Sequence, residues 1–207
     1  MAQDLRDPPN RRREVLAAAL ELLADEGYAG ASLRKVAAKV GIAQPSLYHY
    51  FRTKEDLVEQ VLAAYAGDMF FALDPNAIPK RLDAVPQFIA DTTRRVYQLP
   101  KHAQFVRVAF AVSRVNPRFG KLMRTIFIDQ ANMGMRGIMQ PFIAAGEIEE
   151  ADAVDLVRMV VSAIGLRFME EFVLFDDAPP SREIDRYVAF VVDAAETMLR
   201  SLKRRRA

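Results

Sequence analysis

Residues 33–51 constrain the fold more than any other stretch of this chain. Leu33, Val36, Ala37 and Val40 recur at i, i+3, i+4 and i+7, which puts them on one face of an α-helix. Ser32 stands at the N-cap position, and Gly41 follows the last turn, where a left-handed residue ends a helix cheaply. A second short helix is expected over 44–51, with Pro45 in its first turn, where a missing N–H costs little. Leu47 and Phe51, at i and i+4, face the core there with Val36 and Leu57. Helices of about two turns cannot bury their faces alone. The preceding stretch, 11–26, supplies the missing partner, with Val15, Ala19, Leu22 and Leu23 on one stripe and Gly27 at its end.

The rest of the chain carries the same period, with glycine and proline between the helical stretches rather than inside sustained strand patterns. A helix over 53–73 opens on Thr53-Lys54-Glu55-Asp56, a capping-box pattern. Further helices are expected at 83–99, 102–114, 117–145, 150–175 and 181–204, the last capped by Ser181, which makes about nine in an all-α protein. Two domains follow, 10–60 and 61–204.

Charge gives the first functional pointer. Residues 27–54 hold five basic side chains, Arg34, Lys35, Lys39, Arg52 and Lys54, and no acidic one, while Glu21, Asp25, Glu26, Glu55 and Asp56 flank them. A single-sign window in a nearly neutral chain suits a phosphate-facing surface. Arg34 and Lys35 occupy a first helical turn, where the macrodipole disfavours cations unless an anion sits opposite. Two short helices joined by Val40-Gly41-Ile42-Ala43 fit a helix-turn-helix, whose second helix enters the major groove of double-stranded DNA. On that helix Gln44 suits an adenine edge, Ser46 offers a hydroxyl, and Pro45 can touch a thymine methyl. Tyr48, His49, Tyr50 and Lys54 reach for phosphates, with partial core burial as the alternative for the tyrosines. The expected DNA-facing set is therefore Ser32, Arg34, Lys35, Gln44, Pro45, Ser46, Tyr48, His49, Tyr50 and Lys54.

Enzymatic chemistry finds little footing. There is no cysteine, and His49 and His102 are the only histidines. Glu147, Glu149 and Glu150 suggest a metal site less readily than the acidic first turn of a helix. Gly134-Met135-Arg136-Gly137 lies mid-helix and follows no strand, so it is no phosphate loop. No cofactor and no metal are expected. The N-terminus has no apolar core after its charges, and no apolar run approaches the ~20 residues of a membrane helix. A soluble, cytoplasmic protein without membrane contact is expected by elimination.

Over roughly residues 12–60 the sequence resembles the TetR family of bacterial transcriptional regulators. The residues that carry it are Gly27-Tyr28, Ser32, Val36, Ala37, Gly41, Ile42, Leu47, Tyr48, Tyr50, Phe51, Lys54 and Leu57. Ala43 stands where Ser or Thr is frequent, Pro45 where Gly or Ala is, and Val40 where Ala is. The resemblance implies a homodimer on a palindromic operator, usually a repressor released by a small-molecule effector. It also implies that the larger C-terminal domain binds that effector and dimerises.

Beyond residue 60 nothing specific is recognisable. Ala153, Val157, Val160, Val161, Ile164 and Phe168 form one broad apolar face, and Tyr187, Val188, Val191, Val192, Ala195, Met198 and Leu199 another. They either bury each other within one chain or pair across a two-fold axis, with Val160 and Val191 at the seam; the resemblance favours the second. Residues 105–142 are rich in Phe and Met, which suits an adaptable apolar pocket or an ordinary core. The expected ligand-facing set is Phe105, Phe110, Arg114, Met123, Phe127, Met133, Phe142 and Arg167. A helical dimer that binds ligands or partner proteins without an operator, and a transcriptional activator, remain as alternatives.

Overall fold

The structure, a computed structural model, describes residues 8–71, 75–174 and 181–206, and no strand occurs among them. The helices are α1 Pro8–Gly30, α2 Leu33–Lys39, α3 Gln44–Tyr48, α4 Lys54–Phe71, α5 Val85–Tyr97, α6 His102–Ser113, α7 Pro117–Arg124, α8 Ala131–Ala144, α9 Glu150–Phe168 and α10 Ser181–Arg206. The stretch expected as one helix over 117–145 widens to π-helical winding at Thr125–Gln130, which separates α7 from α8 and accounts for the tenth helix. A second π-helical segment, Met169–Leu174, prolongs α9. The Ser181 side chain, expected as a cap, lies outside the described ones.

The chain forms two compact units. The first comprises Met1–Asp68 with Gln104–Ile126, and the second Met69–Ala103 with Phe127–Ala207. No linker signal in the sequence announces that residues 104–126 group with the N-terminal segment.

In the first unit the expected stripe is buried: Val15, Ala19, Leu22, Leu23, Val36, Ala37, Leu47, Phe51 and Leu57 are all in the core. The turn after α2 has a specific cause. Gly41, at φ 68°, donates its N–H to Ala38 O at 3.2 Å, and Ile42 donates to Ala37 O at 3.0 Å. Those two bonds are a Schellman motif, which satisfies the orphaned carbonyls of α2 and fixes where α3 starts. The Arg11 guanidinium adds a 3.1 Å bond to Val40 O. On the other side of α3, Asp56 N–H donates to Thr53 Oγ1 at 3.1 Å and the Asp56 carboxylate accepts from Arg52 N–H at 2.9 Å. The capping box is thus closed one residue further back than its usual form. Residues 104–126 complete this unit: Phe105 stacks on Tyr65 with centroids 5.9 Å apart, and Phe119 meets Tyr28 edge-on at 5.8 Å.

The second unit packs α5, α8, α9 and α10 around one another. Its core holds Phe88, Ile89, Met139, Phe142, Ala153, Leu156, Val160, Ile164, Phe168, Val188, Val191, Val192, Ala195 and Leu199. This corrects the expectation for the last two helices. Val160 is 0% and Val191 5% exposed in the single chain, so neither is at a seam between copies. The apolar side chains left outside are different ones: Val154, Met159, Val161 and Leu166 on α9, and Phe190 on α10. Helix α9 carries apolar residues round most of its circumference, and periodicity alone could not say which side met α5 and α10.

Tyr97 and His102 sit together in this unit. The Tyr97 ring stacks on Phe168 at 4.7 Å and meets the His102 imidazole edge-on at 4.9 Å, while its hydroxyl donates to Gly165 O at 3.0 Å. Burial pushes the His102 imidazole down to about 4 and the Tyr97 hydroxyl up to about 12.

Candidate nucleic-acid interface

Helix α3 is anchored from one side only. Leu47 and Phe51 are fully buried, and Tyr50 N–H and Phe51 N–H both bond to Leu47 O at 3.0 Å, so the turn continues past Tyr48. Pro45, Ser46, Tyr48 and His49 are consequently exposed, Gln44 and Tyr50 half-buried. Tyr50 leans against the Phe51 ring at 6.3 Å. Gln44 Nε2 donates to Tyr48 Oη at 3.3 Å, which ties the two longest hydrogen-bonding side chains of the helix together. Ala43 caps α3 without a side-chain bond, as expected of a residue lacking a hydroxyl.

The surrounding charges are less uniform in space than in sequence. Ser32 Oγ accepts from Lys35 N–H at 3.3 Å and so acts as the α2 cap. Lys35 is ion-paired with Glu26, and Lys39 lies 3.0 Å from Glu21. Helix α1 therefore neutralises two of the five cations, and Lys35 needs no phosphate to explain its place in a first turn. Arg34, Arg52 and Lys54 form no ion pair among the described residues. Lys54 Nζ instead lies 4.2 Å from the centroid of the Tyr28 ring. The Tyr28 hydroxyl donates to Glu55 Oε1 at 2.7 Å. Burial, then Glu55, raises that hydroxyl to about 12. The same bond holds the Glu55 carboxyl below its ordinary range, and the Asp56 carboxyl is lowered by Gln60 and by Arg52 N–H. Arg118 of α7 pairs with Glu59 of α4. Arg52 and Tyr28 thus join the surface beyond the expected set. In the sequence Tyr28 stood out as part of the Gly27-Tyr28 pair that carries the family resemblance, with no contact or role attached to it.

The expected ligand-facing residues divide between the units. Phe105, Phe110, Arg114 and Met123 lie in the first, and Phe127, Met133, Phe142 and Arg167 in the second. Phe105, Met123 and Phe142 are buried, whereas Phe110 and Met133 are more than half exposed at 56% and 69%. Phe110 falls off the buried stripe of α6, which runs through Phe105, Val108, Ala109 and Val112. Arg167 faces Glu170 at 3.6 Å and Glu183 at 3.9 Å. The Phe127 side chain lies outside the described ones. No cluster of His, Asp or Glu able to hold a metal, and no helix long and apolar enough to cross a membrane, occurs among the described residues.

Comparison with known proteins agrees with the geometry. Residues 15–61 match the family described as bacterial regulatory proteins, tetR family. The HTH-type transcriptional repressor KstR2 of Mycolicibacterium smegmatis is 40% identical over 63 residues, 30% of this chain and 31% of that protein. Its Mycobacterium tuberculosis counterpart is 31% identical over 147 residues, 64% of this chain and 70% of that protein. The matches to the M. smegmatis and Rhodococcus jostii repressors span about a third of those proteins' length. In fold, the transcriptional regulator FadR of Bacillus subtilis, solved in complex with stearoyl-CoA, superposes with a TM-score of 0.62 at 20% identity, covering 92% of this chain and 96% of that one.

Proposed function

The chain belongs to the TetR family of bacterial transcriptional regulators, and from that premise we propose that it is a repressor that binds a palindromic operator as a homodimer. The observation that carries the reading is the outward side of α3. Gln44, Pro45, Ser46, Tyr48 and His49 offer hydrogen-bonding and apolar contacts to base edges or phosphates there, and Arg34, Arg52 and Lys54 nearby form no ion pair among the described residues. Phosphate contacts position the reader, and Gln44 supplies base discrimination. The exposed apolar side chains of α9 and α10 support dimerisation through those helices, because a second copy removes Val161, Leu166 and Phe190 from water. A small, largely apolar effector releases the DNA. The Phe- and Met-rich residues 105–142 support that class of ligand, as does the acyl chain in the B. subtilis regulator's complex.

The test is a footprint of the purified protein on the DNA upstream of its own coding sequence. An inverted repeat is expected, with half-site centres one helical turn, ~34–36 Å, or a multiple of it apart. Gln44→Ala should relax discrimination at one base pair by ~1–3 kcal/mol, whereas Lys54→Ala should weaken all sequences alike. Binding that never exceeds that of a scrambled duplex removes the repressor reading.

A further inference from the structure

We propose that Tyr28 is a positioning residue for Lys54: its ring holds the ammonium while its hydroxyl keeps Glu55 away from that ammonium. The inference rests on the reading of Lys54 as a phosphate contact. Lys54 and Glu55 are neighbours at the start of α4, where the helix dipole favours the carboxylate and disfavours the cation. A flexible ammonium beside a carboxylate pairs with it, as Lys35 does with Glu26 and Lys39 with Glu21. A cation neutralised in that way has little left for a phosphate.

Here one side chain gives each charge a different partner. The Tyr28 hydroxyl occupies Glu55 Oε1 at 2.7 Å, and the ring face lies 4.2 Å from Lys54 Nζ, inside the ~6 Å reach of a cation–π contact. An aromatic face attracts the ammonium without cancelling its charge, so its N–H groups stay available. Tyr28 is itself held in place. Gly27, at φ 69° and ψ 178°, breaks the winding of α1 immediately before it, and the buried Phe119 meets its ring at an interplanar angle of 61°. The hydroxyl, raised to about 12, remains a donor at any working pH.

The experiment compares wild type, Tyr28→Phe and Tyr28→Phe/Glu55→Gln by fluorescence anisotropy on the upstream fragment and on a scrambled duplex, across a salt titration. Tyr28→Phe keeps the ring and frees Glu55. Its log–log salt slope should flatten by about one unit per reader, with roughly eightfold weaker binding per reader at about 0.1 M salt. Adding Glu55→Gln should restore both, because the carboxylate freed by the loss of the hydroxyl is then gone. In the free protein, the Lys54 ε-methylene protons should be shifted upfield by the ring and lose that shift in Tyr28→Phe. Wild-type binding and slope in Tyr28→Phe overturns the proposal, and so does a loss that Glu55→Gln fails to repair, which would leave Tyr28 a packing residue. Unshifted ε protons in the wild type overturn it without any DNA. A wild type that shows the shift yet binds neither duplex overturns instead the DNA reading on which the proposal stands.

Discussion

In the first unit the side chains left outside around α3 are Pro45, Ser46, Tyr48 and His49, with Arg34 and Arg52 nearby; in the second, α9 and α10 leave Val154, Val161, Leu166 and Phe190 outside. Both frames are helical and both bury a core of apolar side chains, so the difference lies in what each surface asks of a partner. A polar, cationic face gains by meeting phosphates and base edges, whose hydrogen bonds replace those of water. An apolar face gains only by being covered, at roughly 25 cal/mol per Å² removed from water. The same periodicity therefore leaves a polar, cationic surface in one place and an apolar one in the other.

The sharpest way to break that comparison uses two neighbouring valines. Val160→Arg puts a charge into the second unit's core and should cost about 4 kcal/mol or more, seen as a collapse of the thermal midpoint. Val161→Arg, one residue on and exposed, should leave the fold within ~0.5 kcal/mol while splitting the proposed dimer in light scattering. A folded Val160→Arg, or a Val161→Arg that stays dimeric, would show that the outward face of α9 has been misassigned.

Acid should separate the units next. His102 is buried neutral, with its folded value near 4 against an ordinary 6.5. The unfolded chain takes up a proton between those values that the folded one refuses, so stability is full above pH 6.5 and falls by about 3 kcal/mol on the way to pH 4. In the first unit the lowered Glu55 and Asp56 carboxyls act in the same direction, but their contribution is lost only as pH drops through and below the carboxylate range. Urea unfolding at pH 7 and pH 4.5 measures the first step, and His102→Gln should remove most of it. A pH-independent midpoint over that interval contradicts a neutral buried imidazole.

The smallest effect comes from one substitution made in both places. Neither Gly41 nor Gly137 has an atom within 4 Å of where a Cβ would stand. Gly41→Ala should still destabilise by ~1–2 kcal/mol, because its left-handed backbone disfavours any side chain. Gly137→Ala, inside α8, should stabilise by ~0.5–1 kcal/mol. Thermal midpoints moving the same way in both variants would contradict the turn geometry.

What the sequence made legible was local. Ser32, Gly41 and the spacing of Leu33, Val36, Leu47 and Phe51 specify two helices and their turn through contacts a few residues long. The charge window misled in part because Glu26 and Glu21 lie on α1 and reach Lys35 and Lys39 only once the helices pack. Val160 and Val161 are equally apolar, and only the placement of α5 and α10 decides which is interior. The contacts of Tyr28 come from α4 and α7 together, and no local pattern encodes them.

The discontinuity of the first unit bears on how this protein is made. Phe105 and Phe119 are fully buried, against Tyr65 and Tyr28 respectively, so the N-terminal segment lacks part of its packing until α6 and α7 exist. At roughly 5–20 residues per second, a ribosome needs several seconds to add them after finishing α4. During that interval the nascent segment shows unfilled apolar surface to chaperones and proteases. A gene fragment ending near residue 68 would leave Tyr28 and Tyr65 without the aromatic partners that α6 and α7 supply.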